Sequence, residues 1–124
     1  MTLSSLLALL DSEAFEQVRS EIARPLQAFE RGLAERGRSA PVELDREAVP
    51  PLIESGHLRS LLEAYLASKL TSVELYYVAN VLALSHAGFS DDSAQDTTFF
   101  LAEGQVSTQE ASQSLAALRR DAGA

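Results

Sequence analysis

LYYVANVLALSH, Leu75 to His86, is the stretch whose reading decides the fold. Two tyrosines, an asparagine and a histidine interrupt an otherwise apolar run. At about 100° per residue, Leu75, Val78, Ala79 and Leu82 share one helix face. Val73, Tyr77, Val81 and Leu84 share nearly the opposite one. A helix apolar on two sides is buried between neighbours, so residues 72–86 are expected to form the central helix of a bundle. The tyrosines then bury their rings and send their hydroxyls to the edge. Asn80 becomes a satisfied structural amide, and His86 meets the last carbonyls at the helix end.

The start of this helix is written just upstream. Thr71-Ser72-Val73-Glu74 is a capping box, in which Thr71 and Glu74 satisfy each other's backbone N–H groups. Leu70 and Leu75 stand at the staple positions. Ser107 to Glu110 repeats the capping pattern for a last helix carrying Ala111, Leu115 and Leu118, with Arg119 and Arg120 at its C-terminal dipole. Between them, Ser90 is expected to cap a helix with Asp91 and Asp92 in its first turn, ended by Gly104. Gly88 is expected to end the central helix.

Upstream, a short helix is expected over about Leu3 to Leu10, and Asp11 or Ser12 is expected to cap a longer one. There Phe15, Val18, Ile22, Leu26, Phe29 and Leu33 form one apolar stripe. Glu16 with Arg19 and Glu21 with Arg24 are expected as exposed i,i+3 pairs, Pro25 as a bend and Gly37 as the end. Gly37 to Pro51 reads as irregular, with one helical turn around Asp45 to Ala48. A further helix runs through Leu58, Leu61, Leu62, Tyr65 and Leu66; Gly56 weakens its beginning, so it is expected to start near His57. The fold class is therefore all-α: one domain over residues 1–124, five to six helices, and a loose tail over 121–124.

The chain has 124 residues, 46% of them hydrophobic, and no cysteine. That suffices for a core without cross-links and excludes thiolate catalysis and zinc–sulfur sites. No basic residue precedes the apolar N-terminal run, which makes a poor secretory signal, and no stretch approaches the ~20 apolar residues that span a bilayer. The expected location is the cytoplasm.

Net charge is −8. It falls unevenly, −3 over residues 1–62 and −5 over residues 63–124. No Lys or Arg lies between Lys69 and Arg119, while Glu74, Asp91, Asp92, Asp96, Glu103 and Glu110 all do. Such a surface repels nucleic acids and anionic membranes and attracts a basic protein. On the helix from Asp91 to Glu103, Ala94 and Leu101 define a core face, with Thr97 and Thr98 beside it. Phe100 lies about 100° from Leu101 and Phe99 about 160°. An aromatic ring rimmed by carboxylates suits a basic partner, and the candidate binding residues are Asp91, Asp92, Asp96, Phe99 and Glu103.

Chemical motifs fail on inspection. Glu54 and His57 have E-x-x-H spacing, but a di-iron bundle needs a second such motif and two further carboxylates. Starting at Asp92, a calcium loop finds suitable residues only at Asp92, Asp96 and Glu103, and lacks its glycine. There is no phosphate-binding glycine loop and no serine nucleophile motif. Neither metal, cofactor nor catalytic residue is expected.

The order of signals from Leu70 to Leu118 resembles small immunity proteins of bacterial toxin systems. Those proteins have a helix of the form L-x-x-x-E-L-x-Y-[IV]-A-x-x-L-x-L, met here by Leu70, Glu74, Leu75, Tyr77, Val78, Ala79, Leu82 and Leu84. An acidic link and a capped final helix follow. The resemblance spans about residues 63–118 and leaves the first half unmatched. It implies a non-enzymatic inhibitor that binds a basic toxin through an acidic surface. Two alternatives stay open: a homodimeric assembly subunit packing through Phe99 and Tyr76, and a small enzyme or ligand-binding bundle built around Asn80, Tyr76 or Tyr77, and His86.

Overall fold

The computed structural model describes residues 1–36 and 44–123. They form an all-α bundle of six helices: α1 (Leu3–Asp11), α2 (Phe15–Arg36), α3 (Ser55–Leu66), α4 (Ser72–Leu84), α5 (Asp92–Ala102) and α6 (Thr108–Gly123). The described residues hold no strand, only isolated bridges between Thr2 and Asp45 and between Ile53 and Phe89. No described helix is long and apolar enough to cross a membrane.

One buried cluster joins all six helices. α4 buries Leu75, Tyr77, Val78, Ala79, Val81 and Leu82 and packs on α2, α3 and α5. It is the central helix its two apolar faces require. It shares the centre with α3, which touches α1, α4, α5 and α6 and buries Leu58, Leu61, Leu62 and Ala64. The apolar stripe of α2 is buried from Phe15 to Phe29. Phe29 meets the rings of Tyr76 and Tyr77 edge-on at 5.4 and 5.1 Å. The ring of Tyr77 goes fully inside, at 1% exposure, hydroxyl included. The side chain of Leu33, and Gly37 as the end of α2, lie outside the described residues.

Both capping boxes form. Glu74 N–H donates to the Thr71 hydroxyl and Thr71 N–H to Glu74 Oε1, at 3.2 and 2.8 Å. Ser107 and Glu110 exchange the same pair at 3.0 and 3.1 Å.

Helix ends differ from expectation. Ser12 does not start α2; it ends α1, its hydroxyl donating to the Ala8 carbonyl at 3.0 Å. Glu13 follows in the left-handed region, φ 56°, and the N–H groups of Glu13 and Ala14 return to the carbonyls of Leu10 and Leu9. α3 ends the same way: Ser68 has φ 63°, and Ser68 and Lys69 N–H reach the carbonyls of Tyr65 and Ala64. Both are Schellman turns, a motif that normally places glycine at the left-handed position. α4 stops at Leu84, and His86 takes the left-handed position, φ 61°, where Gly88 was expected to end the helix. The bond to the final turn comes from the Ser85 hydroxyl, 2.8 Å from the Leu82 carbonyl.

The segment from residue 44 to 54 also departs from expectation. No helical turn forms at Asp45 to Ala48. Asp45 N–H instead bonds the Met1 carbonyl, and Glu47 accepts from Ser4 N–H in the first turn of α1 at 3.1 Å, where a carboxylate suits the helix dipole. Residues 37–43 of the expected irregular stretch lie outside the described residues. α3 begins at Ser55 with Gly56 in its first turn, two residues earlier than expected. The buried His57 supplies the cap: its Nδ1 accepts from Glu54 N–H at 2.9 Å, and its Nε2 lies 3.2 Å from Asp11 of α1. At its far end, α6 continues to Gly123, into the stretch expected as a loose tail.

Candidate functional site

Asp91, not Ser90, caps α5. Its Oδ1 accepts from Ala94 N–H at 2.8 Å. The Ser55 hydroxyl of α3 donates to the same carboxylate at 3.1 Å. The Ala94 backbone bond first, and the Ser55 and Ser90 hydroxyls after it, hold this carboxyl below its ordinary range. Ser90 serves the backbone, its N–H bonding the Ile53 carbonyl at 2.9 Å. Asp91 therefore stands at the margin of the candidate face with its charge already engaged in the fold.

α5 buries Ala94, Thr98 and Leu101. Asp92, Asp96, Phe99 and Glu103 recur at i, i+4, i+7 and i+11, which confines them to an arc of about 60° opposite that core side. All four are exposed. Phe99 is 44% exposed and Phe100 39%, Phe100 lying off the stripe. The ring of Phe99 rests on Phe89, centroids 5.9 Å apart and planes inclined at 53°. Phe89 is itself packed against the core. Among the described residues, the carboxylates of Asp92, Asp96 and Glu103 make no ion pair and accept no hydrogen bond.

The fold adds one acid to this face and removes another. Asp121 of α6 lies beside α5, and the Ser93 hydroxyl bonds its carboxylate. Ser55, Asp91, Asp92, Ser93 and Asp121 line a shallow recess of about 380 Å³. Nothing local marks Asp121 as a neighbour; only the packing of α6 on α5 brings it there. Glu74 is lost to the surface. It is 7% exposed, with Oε2 taking a bond from Arg19 Nε at 2.9 Å. Arg19 thus reaches across to α4 instead of forming the expected pair with Glu16.

The polar groups of the opening stretch do not converge. Tyr77 is enclosed in the core. Asn80 donates to the carbonyls of Tyr76 and Ala102 at 2.9 and 3.4 Å, a structural amide tying α4 to the end of α5. His86 is exposed and lines a recess of about 480 Å³ with Leu3, Leu44, Arg46, Glu47, Pro50 and Leu84. Among the described residues, no group of three or more His, Cys, Asp or Glu is placed to hold a metal ion. Comparison with protein families, curated proteins and solved structures finds no match for this chain.

Proposed function

We propose that this chain is a non-catalytic acidic binding module that holds a basic protein on the outward face of α5. A bacterial toxin neutralised in the cytoplasm is the partner that its resemblance to immunity proteins suggests. The observation that carries this reading is the exposed stripe of Asp92, Asp96, Phe99 and Glu103, whose carboxylates have no ion-pair or hydrogen-bond partner among the described residues. Carboxylates on this face steer a basic surface into contact, and the apolar ring beside them supplies the desolvated anchor. The same stripe disfavours a homodimer through Phe99, because a two-fold axis there sets like charges against each other.

The test is co-purification from the protein's own cells. The wild type should retain a basic protein at low salt and release it as salt rises, since the Debye length shrinks from about 10 Å at 0.1 M to about 3 Å at 1 M. Replacing Asp92, Asp96 and Glu103 by Lys should abolish retention and leave far-UV circular dichroism unchanged. Retention that survives the triple replacement removes this face from the function. His86→Ala should leave retention intact.

A further inference from the structure

We propose that the α5 face reads arginine in preference to lysine, with a guanidinium from the partner stacked on the ring of Phe99. This rests on the reading of α5 as the binding face and names the chemistry it recognises. The ring stands open at 44% exposure but is not free to swing, because Phe89 supports it from the core side at 5.9 Å. Asp96 precedes it by three residues and Glu103 follows it by four, so their Cα atoms stand about 4.5 Å and 6 Å away along the helix axis, one turn to either side. A cation over the ring is therefore within reach of a carboxylate on either side.

The two natural cations respond differently to such a site. A guanidinium is planar and weakly hydrated, so it can lie flat on an aromatic face while its N–H edge donates to a carboxylate. An ammonium is a compact, strongly hydrated charge. It pairs with Asp96 or Glu103 at the water-exposed rim and gains little from the ring. Phe99 and Phe100 stand equally far round the helix from Asp96 and Glu103, and what singles out Phe99 is the support of its ring by Phe89.

Hexa-arginine amide and hexa-lysine amide carry equal numbers of side-chain charges and serve as probes. Their affinities for the intact chain are measured by calorimetry at low salt, with circular dichroism confirming the fold of each variant. The arginine-to-lysine affinity ratio in wild type should exceed that of Phe99→Leu by about two- to fivefold, the exposed cation–π range. Phe99→Tyr should keep the wild-type ratio, and so should Phe100→Leu. An unchanged ratio in Phe99→Leu overturns the proposal, as does a ratio that falls equally in Phe100→Leu. The double variant Asp96→Lys with Glu103→Lys separates the two readings. Loss of both peptides in that variant, with no Phe99-dependent ratio in the parent, rejects only the arginine preference. Undiminished binding of both peptides rejects the face itself.

Discussion

Arg19 Nε donates to Glu74 Oε2 at 2.9 Å, and the other oxygen of Glu74 accepts from Thr71 N–H at 2.8 Å. One carboxylate thus closes the N-terminus of α4 and fastens α2 to it. Glu74 is buried, while the Arg19 side chain is half exposed, so water screens the pair and its coupling is modest. Glu74→Ala should lower stability by about 1–2 kcal/mol, the sum of a lost cap and a weak ion pair. Arg19→Ala should cost about 1 kcal/mol or less. A double-mutant cycle in urea should find the two coupled by about 0.5 kcal/mol or more; strict additivity would deny the link.

Phe29 is the point at which α2 grips α4. It is fully buried and edge-on to two tyrosines. Phe29→Ala should cost about 3–5 kcal/mol, a large share of the roughly 5–15 kcal/mol a domain has. Thermal melts followed by circular dichroism should show it as the most damaging single change in α2. Phe29→Leu should recover more than half of the loss.

Ser68 occupies a left-handed position that suits glycine. An L-residue there is strained by about 1–2 kcal/mol, and glycine relieves the strain at the cost of a more flexible unfolded chain. Ser68→Gly should raise stability by about 0.5–1 kcal/mol, read as a higher urea midpoint at constant slope. A lower midpoint would mean that the Ser68 side chain contributes more than its backbone costs.

Asp91 gives the fold a dependence on acid. Its carboxyl is held below the ordinary aspartate value of 3.8, so the folded state binds this proton less readily than the unfolded chain does. The resulting stability is complete above that value and disappears as pH falls through the lower, folded pKa. Asp91→Asn keeps a side-chain oxygen to cap α5 but no longer titrates. Below pH 4, its thermal midpoint should therefore fall less steeply than that of the wild type. Asp91→Ala should lower the midpoint at every pH.

The starts of α4 and α6 were legible because their signals are local, whereas the starts of α2, α3 and α5 fell at other residues than expected. A Thr or Ser and a Glu three residues apart satisfy each other within one turn, as at Thr71 and Ser107, and need nothing from the rest of the chain. The end of α4 was misread as Gly88 because His86 holds the left-handed position where glycine is the recognisable sign, and Glu13 and Ser68 close α1 and α3 in the same unmarked way. The role of His57 carried no local sign: its imidazole accepts the Glu54 N–H and faces Asp11 across the bundle.

The sequence by itself determined that the chain is helical, that the helix read over residues 72–86 lies at the centre, and that Phe99 stands opposite the core side of its own helix. Each follows from the 3.6-residue period and from caps closed over three residues. Only the tertiary structure decided which acids remain on the surface. Burial took Glu74 inward to Arg19, the Ser55 hydroxyl of α3 engaged Asp91, and packing of α6 brought in Asp121. These outcomes depend on residues 28 to 55 positions apart, and no local pattern encodes a distance across the bundle.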